Sequence, residues 1–127
     1  MDEAKQLARQ EHKYILLNFS GSDWCGPCIR LHKEIFGNTT FQLFATTNLV
    51  LVNADFPRLK RNQLSVAQQK INDAIAEQYN SNGSFPLTLL LSENGKVMKE
   101  WDGLPKGAAD EFVAQIQALI DHNQPLK

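Results

Sequence analysis

The sequence has 127 residues, of which 43% are hydrophobic and 21% charged, and its 13 basic and 14 acidic residues leave a net charge of −1. This length predicts one domain, residues 1–127, whose core needs neither a metal nor a structural disulfide. The charge balance gives no reason to expect nucleic acid or an anionic membrane as a partner. No apolar run reaches the roughly 20 residues that cross a bilayer.

The chain begins with the pattern of a short helix, a buried strand and a turn. Apolar spacing over residues 4–11 predicts an amphipathic helix. The apolar run 14–19 has the length of a strand that is buried on both faces. Residues 20–23 (SGSD) predict a turn. A helix then starts near Cys25, since Pro27 is tolerated in a first helical turn.

The middle of the chain adds a second strand and a long helix. Residues 41–47 predict one or two helical turns, and the apolar run 49–53 predicts a second buried strand. Because a helix separates the two strands, they are expected to pair in parallel. Apolar residues spaced by three and four over 62–79 predict a long amphipathic helix. The basic cluster Arg58, Lys60 and Arg61 is interpreted as a solvated loop.

The last elements are a hairpin and a C-terminal helix. Residues 87–91 and 96–101 predict two strands joined through Asn94-Gly95, a strong hairpin signal. Apolar residues between 112 and 120 predict the closing helix. The order α, β–α–β, α, β–β, α therefore predicts an α/β domain with a mixed central sheet and helices on both faces.

The two cysteines, Cys25 and Cys28, indicate redox chemistry rather than a structural cross-link. A disulfide across so short a loop removes little entropy from the unfolded chain. A helix N-terminus stabilises a thiolate, which favours Cys25 as the attacking sulfur. Cys28 lies on the same side of the helix and deeper, with a Cα–Cα separation of roughly 5–6 Å. Cys25 would attack a substrate disulfide and Cys28 would resolve the mixed disulfide.

A zinc site is the alternative interpretation of this spacing, and it requires two more ligands. The nearest candidate is His32, while His12 and His122 are remote in sequence. A helical histidine among charged neighbours is interpreted as an ordinary surface residue. We therefore expect no metal and no cofactor. Gly26 would let a substrate backbone approach closely, and Pro27 would stiffen the turn.

Two segments of the chain resemble the thioredoxin family. Trp24-Cys25-Gly26-Pro27-Cys28 is similar to the family's active-site motif, and Phe85-Pro86-Leu87-Thr88 is similar to its cis-proline segment. The resemblance covers residues 14–120 and implies a thioredoxin fold. It also implies that Pro86 is cis and that the backbone of Phe85 pairs with an extended substrate. Trp24 would flank the dithiol as an apolar contact surface, or would simply be a half-buried aromatic beside a turn.

The sequence departs from the family's pattern at two positions behind the dithiol. Thioredoxins bury an Asp in the first strand to assist the second cysteine, and the matching residue here is Asn18. The Lys that accompanies this Asp corresponds to Leu51. Since neither Asn nor Leu titrates, the resemblance implies a common attacking half and an altered resolving half.

Two architectural features are similar to thioredoxin-like proteins of bacterial cell envelopes, such as the C-terminal domain of thiol:disulfide interchange proteins. They are a longer turn at 20–23 and a lengthened second helix over 55–79, and the predicted fold also includes an extra N-terminal helix. The similarity favours an extracytoplasmic (bacterial periplasmic) location, with a leader that is not part of this sequence. A cytoplasmic location is the alternative.

The expected function is a monomeric oxidoreductase that reduces protein disulfides through Cys25 and Cys28. Its partners would be disulfide-containing proteins and an unidentified electron-donor protein. An oxidant or isomerase on the same fold is one alternative, although no charged residue between the cysteines adds to thiolate stabilisation. A binding module whose disulfide switches affinity for one partner is another, since the fold alone does not guarantee turnover.

Overall fold

A computed structural model describes residues 1–123, which form a four-stranded mixed sheet with helices on both faces. The strands are β1 (Tyr14–Ser20), β2 (Leu49–Asp55), β3 (Leu87–Leu91) and β4 (Val97–Asp102), in the order β2-β1-β3-β4. β2 runs parallel to β1, and the pairs β1–β3 and β3–β4 are antiparallel. The predicted mixed sheet is confirmed.

Five α-helices cover the sheet. They are α1 (Asp2–Glu11), α2 (Gly26–Leu31), α3 (Thr39–Asn48), α4 (Val66–Tyr79) and α5 (Ala109–Asn123). A π-helical turn (His32–Phe36) continues α2, and a short 3-10 turn (Lys60–Asn62) precedes α4. Within residues 1–123, no helix combines the length and apolar character that a bilayer crossing requires.

The central strand β1 separates two apolar cores. Ile15, Leu17 and Phe19 point to one face and pack with buried residues of α1 and α4. Leu16 points to the other face, where α2, the π-helical turn, α3 and α5 pack around Phe112. Side chains alternate along a strand, so covering both faces buries nearly all of β1, as its apolar run predicts.

β2 is less buried than its sequence predicts. It is an edge strand, paired only with β1, and Leu51 is 57% exposed. An apolar run can belong to a central strand, which is covered on both faces, or to an edge strand, which is covered on one face only. The sequence does not distinguish the two. The prediction that 49–53 is a buried strand is therefore wrong at Leu51.

The second long helix begins later than predicted. β2 extends to Asp55, a loop follows over 56–65, and α4 starts at Val66. Ser65 caps this helix, since its Oγ accepts a hydrogen bond from the backbone N–H of Gln68 at 3.1 Å. The predicted start at 62 and the lengthened helix over 55–79 are corrected: the additional length between β2 and α4 is a loop.

Candidate active site

Cys25 and Cys28 form a disulfide at the start of α2, with their Cα atoms 5.2 Å apart. Cys25 is the N-cap residue of this helix, and its Sγ accepts a hydrogen bond from the backbone N–H of Cys28 at 3.3 Å. Cys25 keeps 6% of its surface exposed, whereas Cys28 is fully buried. The sulfur that an outside disulfide can reach is therefore the one that the helix N-terminus stabilises as a thiolate.

The residues between the cysteines leave room in front of the disulfide. Pro27 lies in the first turn of α2, where its missing N–H costs no helical hydrogen bond. Gly26 is exposed, and a Cβ at this position would meet no atom within 4 Å. On the inner side, Cys28 Sγ accepts a hydrogen bond from the backbone N–H of Gly21 at 3.5 Å. The turn after β1 thus contacts the buried sulfur directly.

Trp24 and Phe85 form an aromatic surface beside the disulfide. Their rings meet edge to face with centroids 5.5 Å apart, and Phe56 packs on Phe85 at 5.6 Å. Trp24 Nε1 donates a hydrogen bond to the Phe56 carbonyl at 2.8 Å. The Phe85–Pro86 peptide bond is cis, as the family resemblance implied.

Gly21 is the residue that lets Trp24 lie in this position. A Cβ on Gly21 would overlap the indole ring of Trp24. The backbone of the turn can therefore approach the ring only because residue 21 has no side chain. Trp24 is half-buried beside the turn, and its part as a contact surface stays a prediction.

Two carboxylates hold the active-site turn: Asp23 connects it to the loop at 56–65, and Asp55 connects it to the end of β2. Asp23 accepts hydrogen bonds from the backbone N–H groups of Arg58 and Leu59 and from Asn62 Nδ2, all within 3.0 Å. These bonds, that from Arg58 above all, hold the pKa of Asp23 below its ordinary value. Asp55 accepts hydrogen bonds from the backbone N–H of Ser22 at 3.0 Å and from its hydroxyl.

Arg58 lies in an exposed loop, as predicted, and it also contacts an aromatic ring. Its guanidinium lies 3.6 Å from the centroid of the Trp24 ring, in the geometry of a cation–π contact. Lys60 and Arg61 are exposed like Arg58, as predicted for the basic cluster. Nothing in the spacing of 58, 60 and 61 reveals the contact with Trp24, because it depends on how Asp23 folds the loop back over the turn.

Asn18 and His32 form a polar pair behind the dithiol. Asn18 is almost fully buried, and its Nδ2 donates a hydrogen bond to Thr88 Oγ1 at 2.9 Å. Its Oδ1 accepts a hydrogen bond from His32 Nε2 at 3.2 Å. Burial lowers the pKa of His32, and the carboxylate of Asp55 opposes this effect. The interpretation of His32 as an ordinary surface residue is therefore wrong.

A signal for His32 was present in the sequence, since it follows Cys28 by four residues and so shares its helix face. Leu51 lies near this pair, on the rim of a small cavity of about 180 Å³ that Asn18, His32 and Phe36 also line. No cation takes the place of the family's lysine among these lining residues. Within residues 1–123, no group of three or more His, Cys, Asp and Glu side chains could hold a metal ion.

Comparison with known proteins gives consistent matches over nearly the whole chain. A family model described as a thioredoxin-like domain matches residues 1–120. The disulfide bond reductase DsbH of Chlamydia pneumoniae is 32% identical over 118 residues, which are 93% of this chain and 69% of that protein.

Solved structures extend the comparison to three dimensions. A structure described as a DsbH oxidoreductase is 30% identical, with a TM-score of 0.85 over 94% of this chain and 81% of that one. The oxidised C-terminal domain of DsbD from Neisseria meningitidis has a TM-score of 0.62 over 92% of this chain and 90% of that domain. At 15% identity, the latter match shows a shared fold alone.

Proposed function

The chain belongs to the thioredoxin-like family and is a protein-disulfide oxidoreductase, and we propose that it works as a reductase. The observation that carries the proposal is the asymmetry of the disulfide. Cys25 is the partly exposed helix N-cap residue, and Cys28 is buried behind it. A site built in this way has one sulfur for substrates and one for resolution.

The catalytic cycle follows from this asymmetry. The reduced protein presents the Cys25 thiolate, which attacks one sulfur of a substrate disulfide and displaces the other as a thiolate. Cys28 then attacks Cys25 in the mixed disulfide, which forms the Cys25–Cys28 bond and releases the second substrate sulfur. The substrate gains two electrons and two protons, and an electron-donor protein with a reactive dithiol must return the enzyme to the reduced state.

The proposed substrate surface is the aromatic group beside Cys25. Trp24 and Phe85 would contact apolar side chains next to the substrate cysteine, and the backbone of Phe85 would pair with an extended segment. Phe85 and Pro86 lie directly before β3, so a segment paired with Phe85 would lie at the start of this strand. Gly26 leaves open space above the helix start, where a substrate backbone can lie.

Two features favour the reducing direction. No charged residue lies between the cysteines, so the helix terminus and the Cys28 N–H are the main groups that stabilise the Cys25 thiolate. The relative with 32% identity is named a disulfide bond reductase. Oxidising members of the fold instead stabilise their reduced form strongly.

The cation–π contact of Arg58 supports the alternative, an oxidant or isomerase, because it brings a positive charge beside Trp24. The reduction potential, measured by equilibration with glutathione, distinguishes a reductase from an oxidant or isomerase. A reductase should have a potential nearer to the about −270 mV of thioredoxin than to the about −120 mV of DsbA.

The activity itself is tested by reduction of insulin in the presence of dithiothreitol. We expect the protein to accelerate chain separation, Cys25→Ser to abolish the acceleration, and Cys28→Ser to accumulate a mixed disulfide. A wild-type protein that leaves the rate unchanged would refute the proposed function.

The proposed setting is an extracytoplasmic compartment in which the protein acts as a monomer on disulfide-containing proteins. The support is chemical, since protein disulfides form and persist mainly in oxidising compartments. Fractionation of cells that produce the natural full-length protein tests this location. Recovery in the cytoplasmic fraction would contradict it.

A further inference from the structure

We propose that His32 accepts the proton of the Cys28 thiol, directly or through one water, when Cys28 resolves the mixed disulfide. The proposal rests on the resolving role of Cys28 described above. It assigns to an imidazole the proton transfer for which Asn18, a residue that cannot titrate, is unsuited. Three features of the structure carry it: the helix register, the hydrogen bonds that orient the ring, and the charge around it.

The helix register places His32 beside Cys28. The backbone N–H of His32 donates to the Cys28 carbonyl, which is the contact of successive helical turns. Side chains four residues apart on a helix are neighbours, with Cβ atoms roughly 5–6 Å apart. Both side chains face β1. Cys28 Sγ is hydrogen-bonded to Gly21, which directly follows this strand, and His32 is hydrogen-bonded to Asn18 within it.

Asn18 orients the imidazole for proton transfer. Its amide nitrogen is engaged with Thr88, so its carbonyl oxygen faces His32 and can only accept a hydrogen bond. Nε2 of His32 therefore carries a proton, and in the neutral ring Nδ1 is the nitrogen with a free lone pair. The π-helical turn begins at His32, and Phe36, at its end, packs edge to face on the ring at 5.2 Å.

The groups around His32 keep it neutral and ready to accept a proton. β1 contributes Leu16 and Asn18 to its surroundings, and β2 contributes Leu51, Val52 and Asn53, none of which is charged. Asp55, at the end of β2, is the carboxylate whose charge raises the pKa of His32, but burial has the larger effect and lowers it. On its own helix, Lys33 and Glu34 are exposed, and Cys28 lies one turn before it.

The proposed step couples a proton transfer to the exchange of two disulfide bonds. The Cys28 proton moves to Nδ1 of His32, and the sulfur uses the freed electron pair to attack Cys25. The Cys25–Cys28 bond forms while the bond between Cys25 and the substrate breaks, so the enzyme is oxidised and the substrate reduced. The substrate sulfur leaves with the bonding pair and takes a proton from solvent, and the imidazolium returns its proton to solvent.

The test separates resolution from attack. A chromogenic aromatic disulfide forms a mixed disulfide on Cys25, and stopped-flow absorbance follows the first thiolate released in attack and the second released in resolution. His32→Gln keeps a hydrogen-bonding group near Asn18 but removes the proton acceptor. His122→Gln, on the exposed end of α5, is the matched control.

We expect His32→Gln to slow resolution at pH 7 by at least tenfold, since general-base catalysis contributes about 10²–10⁴-fold. Its remaining rate should rise with pH as hydroxide replaces the imidazole, while attack by Cys25 stays unchanged. Asn18→Asp combined with His32→Gln should restore part of the rate, because a carboxylate can again accept the proton. His122→Gln should match the wild type.

Resolution by His32→Gln at the wild-type rate and with the wild-type pH profile would overturn the proposal. Equal losses in attack and resolution would also overturn it, since they indicate a structural role. If the variant does not fold, NMR titration of the reduced wild-type protein decides: His32 must show a second inflection where Cys28 deprotonates. Failure of the proposed function is distinct, because the wild type would then form no mixed disulfide with proteins.

Discussion

The Trp24 side chain contacts neighbouring residues on several sides. Its indole N–H bonds to the Phe56 carbonyl, its edge packs on Phe85, and the Arg58 guanidinium covers one face. The turn residue Gly21 lies against the ring as well. These contacts restrict the orientation of the Trp24 ring.

Gly21→Ala should displace Trp24, because the new methyl group would overlap the indole ring. We expect a shift in tryptophan emission and a loss in kcat/KM for insulin of up to about 100-fold, the size that a misplacement of about 1 Å can cause. Gly26→Ala is the control for the emission alone, since a Cβ there meets open space. Wild-type emission and kcat/KM in Gly21→Ala would show that Trp24 is not fixed by the turn.

Ser20 has a buried hydroxyl that finds no hydrogen-bond partner among residues 1–123. Ser20→Ala removes a desolvated group that forms no compensating bond, so the free energy of unfolding should stay unchanged or rise by up to about 1 kcal/mol. Ser65→Ala, which deletes the cap of α4, should instead cost about 1 kcal/mol. Urea unfolding of the oxidised proteins compares the two, and a larger loss for Ser20→Ala would contradict this interpretation.

The sequence predicts the reacting residues better than the residues around them. Cys25 and Cys28 are identifiable because their spacing and the preceding strand are local, and Pro86 because it belongs to a known segment. The contacts of His32 with Asn18 and of Arg58 with Trp24 could not be predicted, because the two residues of each pair are far apart along the chain. Charge and polarity in sequence describe what a side chain can do, but not which neighbour it meets.

The loop at 56–65 has no regular structure beyond one 3-10 turn, yet it is fixed to the active site. Asp23 bonds to its backbone at two positions and to Asn62, and Asn72 of α4 donates a bond to the Asp55 carbonyl at 2.9 Å. The apolar periodicity of α4 could not reveal this loop, because the residues before Ser65 are compatible with a helix pattern. Capping and carboxylate bonding decide where the helix begins.

Acid should release this loop. The bonds to Asp23 lower its pKa in the folded protein, so they stabilise the loop at pH values above the carboxyl's ordinary range. The stabilisation is lost as the pH falls from about 4 through the lowered folded pKa. Trp24 emission should therefore change in this range as Arg58 leaves the ring, and Asp23→Asn should remove the pH-dependent step. The same transition in Asp23→Asn would assign it to another group.

Trypsin offers a second measurement at neutral pH, since the loop contains Arg58, Lys60 and Arg61. Asp23→Asn keeps the shape of the side chain but weakens its bonds to two backbone N–H groups, because a neutral oxygen is a poorer acceptor. We expect cleavage in the loop to become several-fold faster than in the wild type. Asp73→Asn, at an exposed position of α4, is the control. Equal cleavage of the wild type and both variants would contradict the role of Asp23.

The sheet separates two apolar cores, one on each of its faces. Phe112 is the centre of an aromatic cluster with Phe41, Phe36 and Trp101, with ring centroids from 4.9 to 6.3 Å apart. The α/β pattern of the sequence predicts this division, because β1 must be covered on both faces. The exposed edge at β2 was not predictable, since pairing partners lie outside any local window.

Phe112→Ala should lower the free energy of unfolding by about 3–5 kcal/mol, the cost of emptying a packed aromatic site. The rate of Cys25 attack on a small aromatic disulfide should stay unchanged below the unfolding transition, because α2 and its caps remain. Leu43→Ala, at a position that is 68% exposed, should change stability by less than about 0.5 kcal/mol. A large loss of Cys25 reactivity in folded Phe112→Ala would show that the core and the site are coupled.

Covalent trapping shows directly which of the two sulfurs attacks a substrate disulfide. Cys25→Ala and Cys28→Ala are each reduced, incubated with oxidised insulin and analysed by mass spectrometry for a mixed disulfide. Because Cys25 is the partly exposed helix cap and Cys28 is buried, Cys28→Ala should trap insulin and Cys25→Ala should not. Trapping by Cys25→Ala at an equal or higher yield would show that Cys25 is not the attacking sulfur.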